Sequence, residues 1–324
     1  MKKSIKKSKS NLLFLLIGIL IGSSVIVLAD TINSNEVLYD NSSSGSGSTD
    51  VQGALDNLFD AVNHSGTGYS IITHNPQGIS TQLLGGLYRY QGTNPSNYIC
   101  FGTTDKNLCT SDTGNYMYRI IGINETGQLK LIKYSSIGNY SWHSVGTVDT
   151  SWPNSDLFKK INGLDASNNY FLNTQLVPSE WENRIATTTW KYGDISTVDY
   201  STVYNIENNF SNSVDAKIGI MYIHDYYYAN CGTSECNDSV YKSGWLYSNY
   251  EHLITRYGYG GSYHSKNYLV YYLNPSGGIG YGSYNSVAAG RMMYESPVHP
   301  VFYLSLNESI SSGTGTITDP YILN

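Results

Sequence analysis

The chain has 324 residues, of which 40% are hydrophobic, 13% aromatic and only 14% charged. Five of its 19 Lys and Arg fall in the first nine residues, and none of its 25 Asp and Glu precedes Asp30, so from Asp30 onward 14 basic side chains face 25 acidic ones, a net of −11. That balance argues against a nucleic-acid binder, which needs basic stripes to neutralise phosphates, and the apolar content argues against intrinsic disorder.

The first predicted element is an apolar helix. Lys2, Lys3, Lys6, Lys7 and Lys9 precede an uncharged run from Leu12 to Ala29. Positive charge stays on the cytoplasmic side, so the remainder is expected outside the cell. Residues 1–29 read either as a signal peptide cleaved after Val27-Leu28-Ala29 or as a signal-anchor held in the membrane through residues 12–29. Residues 30–68 read as a stalk. Its Ser/Gly segment, Asn41 to Asp50, is followed by Val51, Leu55, Leu58, Phe59 and Val62 on one face of a short helix, with Thr49 or Asp50 as N-cap. A lone helix of that length needs a partner, either the domain behind it or other copies, which makes 51–62 a candidate homo-oligomer contact.

Residues 69–324 read as one mixed globular domain of the α+β class. Tyr116 to Tyr134 carries two apolar runs around Asn124-Glu125-Thr126-Gly127, the pattern of a β-hairpin. Helices are expected over Ser155 to Asn162 and over Ser179 to Ala186, the second opening after Pro178. Lys217 to Ile223 reads as a buried strand and His299 to Leu304 as a late one, with a closing turn through Gly313, Gly315 and Asp319-Pro320. Strands, then helices, then strands suggest α+β.

Cys100, Cys109, Cys231 and Cys236 in an exported chain read as disulfides rather than as a zinc site. Three pairings are open; the local one, Cys100 with Cys109 and Cys231 with Cys236, closes two short loops. Fifteen of the 31 Tyr lie between Tyr222 and Tyr284, where there is no Phe and where Gly, Ser and Asn are dense. Such mixtures suit recognition loops, since Tyr offers rigid amphipathic area and its small polar neighbours adapt their hydrogen bonds. The competing reading is a Tyr-rich sheet that stabilises itself through cross-strand pairs. Adjacent Tyr271 and Tyr272 would face opposite sides of a strand and should not both be core. The candidate ligand-binding residues are Tyr226, Tyr227, Tyr247, Tyr257, Tyr259, Tyr263 and Tyr281, with Trp245 as core or anchor.

No Gly-x-Ser-x-Gly elbow, His-Glu-x-x-His motif or phosphate-binding Gly loop occurs. The acid–imidazole neighbours His224-Asp225 and Glu251-His252 read as solvated or structural. No cofactor or metal is implied; Asn237-Asp238 and Asp319 supply oxygen donors without a calcium signature.

Several segments share a pattern with known sequences: YRIIGI at Tyr118 to Ile123, SWPNSDLFKKIN at Ser151 to Asn162, the spacing of Trp181 and Ile185, IGIMYIHDYYYA at Ile218 to Ala229, and the terminal stretch from Ser296 to Leu323. Together they resemble a domain of unknown function widespread in surface proteins of low-GC Gram-positive bacteria. That resemblance implies an Arg at the position of His299, so any pairing of that position with a buried acid is in doubt here. The stalk, from Val37 to Phe59, resembles a module of phage tail fibres and bacterial surface proteins. The domain is in turn distantly similar to C-type lectin-like folds. Formylglycine-generating enzymes share that fold and use a Cys pair five positions apart, the spacing of Cys231 and Cys236. The expectation is an exported surface protein with a recognition domain for a glycan or protein ligand. The alternatives are an oxidative or hydrolytic enzyme, or a purely structural envelope protein.

Overall fold

In the computed structural model, residues 79–83, 87–124, 127–143, 151–164, 177–196, 202–231, 244–246, 251–258, 270–273, 279–280, 292, 295–306 and 308–324 are described, all within the compact unit His64–Asn324. The N-terminal apolar run, the stalk and the 51–62 helix lie outside them, as do Tyr247, Tyr259, Tyr263, Tyr281, Cys236 and Asn237-Asp238. Among the described residues no helix is long and apolar enough to cross a membrane.

Strands β1 (Ile79–Leu83) and β2 (Leu87–Tyr90) form an antiparallel pair, followed by β3 (Tyr98–Cys100). Helix α1 (Lys106–Ser111) opens on Asp105, whose carboxylate accepts from the N–H groups of Asn107 and Leu108. The one-turn helix α2 (Thr113–Tyr116) leads into β4 (Met117–Ile123), which turns back into β5 (Leu129–Lys133). This is the expected hairpin, with Ile120 opposite Leu131. Every residue of β4 and β5 is buried, because both faces of the hairpin are covered.

After β6 (Asn139–Tyr140) and a single 3-10 turn at Trp152–Asn154, α3 (Asp156–Ile161) fills the place expected of the first helix, with the Ser155 hydroxyl accepting from the Phe158 N–H. The second expected helix is cut to one turn, α4 (Ser179–Glu182). Next come β7 (Thr188–Tyr192), β8 (Asp194–Ile195), α5 (Val203–Asn208), β9 (Asn212–Ala216) and β10 (Ile218–Gly219). The strand expected over Lys217 to Ile223 therefore pairs over only two residues before the chain enters α6 (Ile223–Cys231). The remaining elements are β11 (His252–Tyr257), β12 (Val270–Leu273), β13 (Ile279–Gly280), β14 (Ser296–Pro297), β15 (Val301–Tyr303), β16 (Ile310–Ser312) and β17 (Ile322–Leu323).

Among the described residues the largest sheet has seven strands. Six run in the order β1-β2-β4-β5-β15-β10, and β3 pairs with the other half of the β4 edge that β2 uses. A second sheet runs β13-β12-β11-β8, its last pair parallel, and three two-strand ribbons complete the pattern. Sheets and short helices thus mix as an α+β domain requires.

Aromatic rings centre the core. Phe101 meets Tyr118, Trp181 and Phe302 at centroid distances of 5.5, 5.1 and 4.9 Å. Trp190 lies against Gly219 so closely that an added Cβ would come within 2.4 Å of the indole, which explains a glycine in a buried strand. Cys100 and Cys109 are disulfide-bonded with Cα atoms 5.9 Å apart, as the local pairing requires. The end of the chain returns to β3: Ile99 bridges Tyr321, and the Tyr98 N–H donates to the Gly315 carbonyl.

Candidate functional site

The described tyrosines of the Tyr-rich half are core rather than surface. Tyr226 and Tyr227 on α6 are 0% and 1% exposed, and Tyr257 on β11 is 7% exposed. Their rings stabilise the interior, since a side chain enclosed by neighbours has no face to offer a ligand. Tyr271 and Tyr272 do alternate across β12, yet both are buried, because this sheet is covered on both faces. Of the described candidates only Trp245 keeps a partly open face.

Trp245 is fixed from three sides. Its indole Nε1 donates to the Tyr90 carbonyl at 2.9 Å, and its backbone N–H donates to the Gly92 carbonyl at 3.0 Å. The Arg119 guanidinium lies between the indole and the Tyr98 ring, 4.3 Å from each centroid. Asn97 accepts from Arg119 Nε at 2.8 Å and the Pro95 carbonyl from its NH2 at 3.4 Å, so the cation is locked behind the indole. Burial pulls Arg119 down to about 10, against the pull of Tyr98 and Tyr134.

Beside the indole opens a cleft of about 260 Å³, lined by Arg119, Lys133, Tyr134, Trp245, Glu251 and His299 among others. Tyr134 is the exposed ring at its rim, 38% accessible. Lys133 donates to the carbonyls of Gly114 and Asn115 at the end of α2, and burial lowers it to about 8 while Asp112 opposes the shift. His299 Nδ1 lies 3.1 Å from Oε1 of buried Glu251, which also accepts from the His299 backbone N–H. The pairing placed in doubt by a His at this position is therefore made. Burial lowers the His299 pKa, but the charge and hydrogen bond of Glu251 outweigh it and the net shift is upward, with Lys133 opposing.

A second constellation lies deeper. Lys130 on β5 and Arg89 on β2 converge on Asp225 of α6, with Lys130 Nζ 2.5 Å from Oδ2 and Arg89 NH2 3.3 Å from Oδ1. All three are at most 2% exposed. Burial raises the Asp225 pKa, but Lys130, His224 and Arg89 together hold it below the ordinary carboxylate range. His224 turns its Nδ1 to Glu207 of α5 at 2.7 Å and its Nε2 toward Asp225 Oδ1 at 3.6 Å. His224-Asp225 and Glu251-His252, read as solvated or structural, are not solvated: all four are buried. Adjacent residues did not face each other in the second pair; His299 took Glu251, and His252 Nε2 lies 3.3 Å from Ser296 Oγ.

Arg89, Lys130 and Glu207 were not singled out from the sequence, and no short motif contains them. Lys130 and Asp225 are 95 positions apart. Asp319 spends its carboxylate on Lys106 Nζ at 3.0 Å. Among the described residues no group of three His, Cys, Asp or Glu is placed to hold a metal ion. Comparison with protein-family profiles, with characterised proteins and with solved structures found no match.

Proposed function

We propose that this protein is an exported surface protein whose α+β domain, in a C-type lectin-like arrangement, recognises a glycan that carries acidic groups. The observation behind the ligand class is the Trp245 cleft. An indole braced by Arg119 and an exposed tyrosine at the rim offer flat apolar area of the kind that receives a sugar face. Arg119, Lys133 and His299 set three cationic groups against the single carboxylate of Glu251, in a chain whose residues from Asp30 carry a net −11. A local positive cleft in an acidic domain favours an anionic ligand and steers its approach. Export rests on the N-terminal Lys cluster and the apolar run behind it. The lectin-like arrangement draws support from the docking of the terminal segment on β3.

The test is binding of the purified full-length chain, in detergent, to arrays of acidic glycans, neutral glycans and proteins. Saturable binding to acidic glycans that weakens with salt is expected. Loss of one sugar–aromatic contact, worth ~1 kcal/mol, lowers affinity several-fold in Tyr134→Ala and in Trp245→Ala. Tyr134 is exposed, so its variant should keep the melting temperature. Binding to proteins alone, or acidic-glycan binding indifferent to both substitutions, refutes the reading.

A further inference from the structure

We propose that Lys130 and Asp225 are joined by an intramolecular amide bond, formed after folding between the lysine Nζ and the aspartate Cγ. This inference is independent of the cleft and its ligand.

The reactants are already in place. Lys130 and Asp225 are each 0% exposed, with Nζ against Oδ2. Lys130 has no aqueous surroundings to leave, since its Nζ lies 4.9, 5.3 and 5.7 Å from the ring centroids of Tyr222, Tyr303 and Trp190. Two groups fixed in contact react as though at an effective concentration of up to ~10⁵–10⁸ M. A dry site also removes the excess of water that opposes condensation in solution. Burying two charges is costly, and condensation replaces the ammonium and the carboxylate by a neutral amide.

The groups that the chemistry needs surround the carboxylate. The Tyr222 backbone N–H donates to Oδ2 at 3.0 Å, which suits Oδ2 to become the amide carbonyl oxygen and stabilises it while the tetrahedral centre exists. Oδ1 faces Arg89 NH2 at 3.3 Å and His224 Nε2 at 3.6 Å. Glu207 fixes the imidazole by accepting at Nδ1 and at the His224 backbone N–H, which leaves Nε2 directed at Oδ1 as a relay that first accepts a proton and then delivers it. The step balances without a co-reactant. Nζ gives up two protons and its lone pair forms the C–N bond. The bond from Cγ to Oδ1 breaks, and Oδ1 leaves with those two protons as water, one of them relayed by His224. A cavity of about 150 Å³ lined by Arg89, Glu207 and His224 gives that water somewhere to go.

The experiment is mass spectrometry on the reduced, denatured full-length chain and on its proteolytic digest. The expected result is a chain lighter by one water, and a branched peptide joining the Lys130 segment to the Asp225 segment. The branched peptide is diagnostic whatever happens at the N-terminus. Lys130→Arg retains the cation and cannot form this bond, so it should restore the missing water and yield two separate peptides. The proposal is overturned if the wild-type chain gives Lys130 and Asp225 in unlinked peptides, or if the mass deficit persists in Lys130→Arg.

Discussion

Substituting His299 by Arg changes when the cleft's ion pair is charged without removing the pair. At 3.1 Å between Nδ1 and Oε1, the Coulomb attraction is ~5 kcal/mol for an effective dielectric of ~20. Glu251 is only 2% exposed, so desolvation cancels much of that. The net value is that of a charge-assisted hydrogen bond, ~1.5–3 kcal/mol. The His299 pKa is raised in the folded state, so its contribution is fully present below the unfolded value of ~6.5 and is lost as pH rises through the folded one. Arg stays charged throughout and should contribute the same at every pH in this range.

Lys133 lines the same cleft and contributes with the opposite sign. Its folded pKa is depressed to about 8, so it adds stability only as pH climbs from there toward the unfolded lysine value. Arg119 titrates higher still. The diagnostic window therefore runs from about 6 to about 8, between the unfolded histidine value and the onset of Lys133. Urea unfolding of wild type and His299→Arg in that window should show wild type losing up to ~1.4 kcal/mol per pH unit relative to the variant. Glu251→Gln should lose the ~1.5–3 kcal/mol at the acidic end and reverse the slope, because burial and Lys133 then leave the His299 pKa below its unfolded value. Parallel profiles for wild type and His299→Arg would refute the reasoning, because the other histidines are common to both chains.

Three more substitutions probe the frame. Phe101→Ala removes a fully buried ring from a four-ring contact and should cost ~3–5 kcal/mol in urea unfolding; a loss under ~1 kcal/mol would mean that the aromatic centre is misplaced. Gly315→Ala places a Cβ 2.3 Å from the Ser96 carbonyl at a φ of +76, so the terminal segment should detach from β3 and the melting temperature should fall by several degrees; an unchanged value contradicts that docking. Cys100→Ser with Cys109→Ser opens a loop with a sequence separation of 9 and should lower stability by ~3 kcal/mol relative to the oxidised wild type, to the level of the reduced wild type, in urea unfolding.

What the sequence disclosed was local. The β4–β5 hairpin, α3 with its Ser155 cap and the Cys100–Cys109 bridge each close over short distances, so residue pattern and spacing suffice to foresee them. Helix α6 was missed for two physical reasons. Its described side chains, Ile223 to Asn230, are buried on every side, so there is no polar face to display a helical period. Its start is also fixed by groups that periodicity does not reveal. The N–H groups of Ile223 and His224 are satisfied by Glu207, reaching in from α5, and Asp225 reaches back to the Tyr222 N–H. The same distance in sequence hid Arg89 and Lys130. Among the described candidates, Tyr226, Tyr227 and Tyr257 are interior rather than surface residues, because Tyr composition describes both a recognition loop and a packed interior; only their enclosure separates the two.

Charge is scarce in this chain, at 14% of residues, yet Arg89, Arg119, Lys130, Lys133, Glu207, Asp225 and Glu251 are all at most 7% exposed. Each such ion costs several kcal/mol to desolvate, and apolar replacements of similar volume often serve stability as well or better. Stability alone is therefore a poor reason to bury them. The two groups of ions do different things with the same expense. Around Asp225 the charges point at one another, an arrangement that consumes its own members. Around Trp245 the cations sit behind and beside an accessible ring, and only Glu251 opposes them. An inward network fits covalent or structural closure; an outward-facing one with surplus positive charge fits the proposed anionic ligand. Locating ligand dependence at Trp245 and Tyr134 but not at Lys130 would separate these roles within one domain.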